Sequence, residues 1–295
     1  MIFIIYSVLV MLVIGKVNIE ESGERISPSH SLFDGSHVRN ILLIGNDSRG
    51  SDGGRSDSMI LLSLNSSTNK INMLSLMRDT YVQVPGYGGC KLNAAYAYGG
   101  AELLMDTIEY NFNIEIDHYM LVGFDMFKTI IDSIGGIEVE VTEKEAQFMR
   151  DTARATRNIQ AGENVHMNGE QALVYCRIRK LDSDFMRTSR QRKVISALIS
   201  KAKDSSLTDL KALADEVLPM VQTDISPMEL TKLAMGAVKY ITYDIKSERV
   251  PTDGTWSSRT INGQSAIVAD FGANQEFLRN YLYSVDIPEE DTTEN

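Results

Sequence analysis

The sequence predicts an α/β fold from one observation, and two more bound it to an ordinary folded chain of one or two domains. Short β-prone apolar runs alternate with stretches of helical periodicity along most of the chain. At 295 residues the chain can bury a sizeable core in one large domain or two small ones. Its 43% hydrophobic and 23% charged content is ordinary for a folded protein. The formal net charge of −11 disfavours nucleic acid as a partner, so any anion-binding site has to be a local basic patch.

The elements follow in order. Residues 2–14 are almost wholly apolar, interrupted by Tyr6 and Ser7. At about 1.5 Å per residue they reach about 20 Å, short of the roughly 30 Å of a bilayer core. They read either as the apolar region of a signal peptide or, as we favour, as part of a signal-anchor helix over 1–15. A polar tether over 16–38, with Gly23, Ser27, Pro28, Ser29 and Ser31, comes next. Either reading puts the body outside the cytoplasm.

Runs over 41–44, 59–64 and 71–77 are bounded by Gly, Ser, Asn and Asp and read as strands. Their connections carry Asp47, Arg49, Arg55, Asp57, Arg78 and Asp79. Residues 78–92, with Pro85, Gly86, Gly88 and Gly89, read as a loop. A helix is expected over 101–112, a strand over 116–122, a helix over 124–134 closed by Gly135-Gly136, and a strand over 137–141, where IEVEV alternates strictly. Residues 142–165 lack a period and are expected to be irregular. A short helix starts at Asn168. Asp184 is expected to cap a long helix to about Lys203. Helices over 207–221 and 227–240 follow, the second with Ser226 as N-cap and Pro227 at its first position. Short strands over 245–250 and 265–268, a helix over 274–283 and a frayed acidic tail over 286–295 complete the chain.

Several chemistries are absent. Residues 45–50 have P-loop glycine spacing, but Ser51-Asp52 stands where Lys and a hydroxyl would be needed. Neither GxSxG nor HExxH occurs. The histidines, His30, His37, His118 and His166, are scattered, which disfavours a Ser–His–Asp hydrolase. Cys90 and Cys176 form no disulfide framework and no CxxC motif. A single bridge between them stays open, with two independent, partly buried thiols the ordinary expectation.

Two features point to chemistry. Residues 177–192, RIRKLDSDFMRTSRQR, carry Arg177, Arg179, Lys180, Arg187, Arg190 and Arg192 against only Asp182 and Asp184. Arg177 and Arg179 share a parity, and Arg187, Arg190 and Gln191 share a helix face. Such pairs can converge on phosphate, whose oxygens match guanidinium forks; a charge run is otherwise a solvated face. The second feature is Asp47 and Asp57 at strand ends. Their hard oxygens suit Mg²⁺, which takes one or two carboxylates plus phosphates and water; a lone Asp in such a loop otherwise forms turns.

The blocks NILLIGNDSR, GRSDSMILLSLN, LSLMRDTYVQVPG, KLNAAYAYGG, IDHYMLVGFDMFKTIIDSIGGIEVEV and GEQALVYCRIRKLDSDFMRTSRQR resemble the LytR-CpsA-Psr family of cell-envelope glycopolymer transferases. The match runs from about Arg39 to Arg192, and the end of the chain is similar to the family's too. The resemblance implies a catalytic domain over 39–285, a three-layer α/β/α sandwich around a central mixed β-sheet. It implies transfer of a glycan phosphate, of teichoic acid or capsule type, from a polyprenyl-pyrophosphate carrier to peptidoglycan at the cell membrane. It implies Mg²⁺, or Mn²⁺ in its place, held by Asp47 and Asp57. Arg55, Arg78, Arg177, Arg179, Arg187 and Arg190 would clamp the pyrophosphate, with Lys91 and Gln191 nearby and Asn93 shaping the edge. Asp47, Arg55, Asp57, Arg78 and Arg179 are the expected catalytic set. Met77 stands where the family often has Pro. A slot for the lipid could be walled by the helices over 101–112 and 124–134, which serve equally well as ordinary core. Two other readings share the residues: a pyrophosphatase on the same substrate, and a non-catalytic lipid-glycan-binding regulator.

Overall fold

A computed structural model describes residues 17–20, 37–45, 56–240 and 242–285. Thirteen strands and eight α-helices are placed among these residues. The segments 1–15 and 286–295, Asp47, Arg55 and most of the tether lie outside them.

The centre is a mixed sheet in the order β1 (Asn18–Ile19), β10 (Gln222–Thr223), β7 (His118–Val122), β2 (Val38–Gly45), β3 (Ser58–Asn65), β4 (Lys70–Leu76) and β11 (Asp244–Val250). The strands read as 41–44, 59–64 and 71–77 form its antiparallel middle, β2 with β3 and β3 with β4. β7 and β11 add on either side in parallel. β1 falls inside the expected tether and pairs in parallel with β10 at the edge.

Each strand's period of two divides the sheet into two faces. One face, with Leu42, Ile44, Met59, Leu61, Leu74 and Leu76, is buried against helices α1 (Leu92–Phe112) and α8 (Phe271–Leu282). On the other, Ile41, Leu43, Leu62, Leu64 and Met120 are only half-buried; cross-strand pairs such as Ile41 with Leu62 and Leu43 with Met120 place them together. Helix α5 (Asp184–Lys203) packs on β4 and β11. A second core, with Ile131, Val139, Met149, Tyr175 and Val194, joins α2 (Phe124–Ser133), α3 (Glu143–Thr152), α4 (Gly169–Cys176) and α5 with the hairpin of β8 (Ile137–Val141) and β9 (Gly162–Met167). Helices α6 (Leu207–Val217) and α7 (Pro227–Tyr240) complete the set.

Four expectations change. The loop over 78–92 is a hairpin, β5 (Tyr81–Val84) with β6 (Gly88–Lys91). Buried Val82 and Val84 hold it on the core, and Gly86 and Gly88 take the positive φ its turn needs. The irregular stretch over 142–165 contains α3 and the first part of β9. A Thr142–Glu145 capping box starts that helix, a signal the sequence carries. Helix α1 begins at Leu92, with non-helical backbone at Gly99 and Gly100 inside it. Ser183, not Asp184, caps α5 by accepting from the Met186 N–H. A last hairpin, β12 (Trp256–Ile261) with β13 (Gln264–Ala269), turns at Asn262-Gly263, both with positive φ.

Candidate functional site

Register brings the site together at one end of the sheet. β2 ends at Gly45 opposite Ser58, and the Asp57 N–H donates to the Gly45 carbonyl at 3.2 Å. β4 ends beside the start of β3, since Ser75 pairs with Ile60. Arg78, just past β4, therefore reaches Asp57, with Nη1 2.7 Å from Oδ1. The other oxygen of Asp57 lies 2.9 Å from Arg179 Nη2. Arg187 adds a third guanidinium from α5: Nη2 donates to the Asp57 carbonyl at 2.9 Å and pairs with Asp184 Oδ1 at 3.0 Å. Arg78 Nη2 lies 3.4 Å from the same Asp184 oxygen. Gln191, one turn further along α5, accepts from Ser58 Oγ at 3.0 Å. Arg78 and, about a hundred residues later in the sequence, Arg179, Arg187 and Gln191 thus meet around Asp57.

The electrostatics are those of a crowded cationic cluster. Burial raises the Asp57 pKa, but Arg179 and Arg78 outweigh it and hold the carboxyl below its ordinary value. Arg187 is only 2% exposed. Burial, with Arg78 and Arg179 adding to it against Asp184, pushes its pKa down to about 10. The Nε atoms of Arg78 and Arg187 are buried and donate no hydrogen bond among the described residues. Unmet buried donors are costly, and an anion would satisfy them.

The other expected residues sit elsewhere. Lys91 Nζ pairs with Asp79 at 2.7 Å, and Asp79 also lies 3.5 Å from Arg78 Nε. Asn93 is buried at the start of α1, its N–H donating to the Arg78 carbonyl at 3.2 Å. Arg177 is exposed and covers the Phe124 ring, its guanidinium carbon 4.7 Å from the centroid. Arg190 is 2% exposed and bonds Glu145 Oε1 at 2.7 Å, the Ile178 carbonyl at 3.2 Å and Asp182. It ties residues 177–183 to α3 and is not brought onto Asp57. Asp184 is the residue sequence reasoning misplaced. As a cap it would have been occupied; with Ser183 capping, its carboxylate holds Arg78 and Arg187. Its position three residues before Arg187 on a helix was the available signal.

Of the pair expected to hold a divalent cation, Asp57 is among the described residues and Asp47 is not. No group of three or more His, Cys, Asp or Glu able to hold a metal occurs among the described residues. Asp57 suits a shared role. It is ionised, and each of its oxygens takes one arginine contact, leaving room among a carboxylate's roughly four lone-pair sites. Cys90 and Cys176 are both free thiols, and burial pushes Cys176 up to about 12.

Among known proteins, the model of the LytR_cpsA_psr family matches residues 9–280. A Bacillus anthracis protein named polyisoprenyl-teichoic acid–peptidoglycan teichoic acid transferase TagU is 36% identical over 208 residues, 69% of this chain. The matched stretch spans 64% of that relative, under two thirds of its length. A TagU from Oceanobacillus iheyensis is 37% identical over 246 residues, covering 79% of this chain and 74% of the relative. A solved structure of TagT bound to LIIa-WTA superposes with a TM-score of 0.72 at 25% identity, covering 90% of this chain and 99% of that one.

Proposed function

Because the chain belongs to the LytR-CpsA-Psr family, we propose that it transfers a glycopolymer of teichoic acid or capsule type from a polyprenyl-pyrophosphate carrier to peptidoglycan. One observation carries the reading: Arg78, Arg179 and Arg187 converge on Asp57, with two buried guanidinium Nε atoms that donate no hydrogen bond among the described residues. That cluster suits a pyrophosphate, whose charge spreads over several oxygens. The names of the TagU relatives and the ligand of the TagT structure support the same substrate class.

The reaction is a phosphoryl transfer. A hydroxyl oxygen of the acceptor glycan attacks the phosphorus that bears the donor glycan. The bond from that phosphorus to the bridging oxygen breaks, polyprenyl phosphate leaves with that oxygen, and the hydroxyl proton passes to the leaving phosphate or to water. The guanidiniums stabilise charge on the transferred group and on the leaving phosphate; positioning and electrostatics supply the catalysis. Asp57, together with Asp47, would hold Mg²⁺ or Mn²⁺, which would neutralise pyrophosphate oxygens. Asp57 also orients Arg78 and Arg179, and Asp184 orients Arg78 and Arg187.

A lipid tail needs an apolar slot. Helix α1 is committed to the core on the other face of the sheet. The half-buried strip of Ile41, Leu43, Leu62 and Leu64 beside Met120 supports a slot on the opposite face. No helix among the described residues is long and apolar enough to cross a membrane. The apolar run over 2–14 supports anchoring at the membrane with the domain outside the cytoplasm.

The test is transfer to isolated peptidoglycan. Lipid-linked glycopolymer incubated with the protein should become covalently attached to the wall polymer. Phosphate release with no glycan attached would overturn the reading in favour of a hydrolase.

A further inference from the structure

Beside the arginine cluster lies a cavity that the phosphate chemistry does not use. It measures about 270 Å³ and sits among the β5–β6 hairpin, the start of α1 and the tip of the β12–β13 hairpin. Tyr81, Lys91, Asn93, Tyr98, Asn262 and Gln264 line it. The β12–β13 wall is fixed beside the cluster, because the Ile267 N–H donates to the Asp79 carbonyl at 2.9 Å and Ile267 bridges Thr80. Asp79 is the link: one of its oxygens takes Lys91 and the other faces Arg78. The cavity is therefore one carboxylate away from the expected pyrophosphate.

Its chemistry differs from that of the cluster. The Lys91 charge is engaged by Asp79 at 2.7 Å. The other side-chain groups named are neutral: two phenols and the amides of Asn93, Asn262 and Gln264. Tyr98 stacks on Tyr87, with ring centroids 4.8 Å apart and planes within 14°. The two residues are 48% and 59% exposed, so about half of the stacked pair is open to solvent. Neutral amides and hydroxyls beside a half-exposed aromatic pair do not suit a second phosphate, which calls for unpaired cations. They do not suit a lipid tail, which would strand the amides without partners. They suit a sugar ring, whose C–H face packs on an aromatic while its hydroxyl and acetamido groups bond amides.

We propose that this cavity is a saccharide subsite that seats one sugar ring of a glycan next to the reacting phosphate. The saccharide chemistry stands on the cavity alone. Its two sources, the acceptor strand and the glycan of the donor, rest on the transferase reading.

The experiment titrates the full chain with three probes: soluble peptidoglycan fragments, a glycan-bearing polyprenyl-pyrophosphate donor, and polyprenyl pyrophosphate without glycan. Wild type is compared with Tyr98→Ala, Tyr98→Phe and Gln264→Ala, all at exposed positions. Tyr98→Ala should weaken a glycan-bearing probe roughly five- to tenfold, the scale of an aromatic contact. Tyr98→Phe should bind as wild type, Gln264→Ala more weakly, and bare polyprenyl pyrophosphate should bind all four alike. Weakening confined to the fragments assigns the ring to the acceptor; weakening confined to the donor assigns it to the donor glycan. If Tyr98→Ala binds both glycan probes as wild type does, or wild type binds neither, the subsite is overturned. Failure of wild type to bind bare polyprenyl pyrophosphate would count against the transferase reading and leave the saccharide result standing.

Discussion

Arg179 and Arg190 come from one short segment and do opposite work. Arg179 is exposed and reaches Asp57 at 2.9 Å; Arg190 is buried between Glu145 and Asp182. Arg179→Ala should leave the melting temperature nearly unchanged and lower transfer about 10²–10³-fold, the scale of losing one preorganised charge donor. Arg78→Ala should be comparably inactive, and its far-ultraviolet circular dichroism should remain that of wild type. Full activity in either variant would refute the site. Arg190→Ala, in contrast, leaves Glu145 buried and unpaired, and should destabilise by about 3–5 kcal/mol. Denaturant unfolding separates the two roles, because only the Arg190 variant should shift its midpoint strongly.

At the scale of elements, close approach and charge fix how helices dock. Gly169 opens α4 against α2, and a Cβ there would stand 2.4 Å from the Lys128 carbonyl oxygen. Gly169→Ala should destabilise by about 1–3 kcal/mol through overpacking, read as a lower denaturant midpoint. Helix α7 meets the sheet at His118, whose Nδ1 lies 3.4 Å from Asp224 and Nε2 3.2 Å from Glu229. Arg39, Asp117 and Lys232 line the adjoining cavity of about 100 Å³. Asp224 foremost, and Glu229, raise the His118 pKa against the opposing effect of burial. A raised folded pKa means the stabilisation is complete below the unfolded value of about 6.5 and is lost as pH rises through the folded value. Melting temperatures measured across that window should fall more for wild type than for His118→Gln. Equal pH slopes would remove His118 from the docking of α7.

At the scale of the whole molecule, cation dependence is the sharpest test of the acidic pair. Calorimetric titration should show Mg²⁺ binding to the wild-type chain and its loss in Asp57→Asn, and chelation should suppress transfer until Mg²⁺ is restored. The sequence by itself determined the α/β class and the middle strands, because hydrophobic period and bounding turns are local properties. It also carried the family and the two clusters of charge, Asp57 with Arg78 and the run over 177–192. The hairpin over 78–92 was hidden because Gly and Pro read as loop until Val82 and Val84 find the core. The roles of individual charges were decided only by the tertiary structure. Sequence spacing sets which residues share a helix face, but a charge's partner depends on which elements pack alongside. Packing α5 at the ends of β3 and β4 sends Arg187 to Asp57 and Asp184, whereas α3 takes Arg190 three residues later through Glu145.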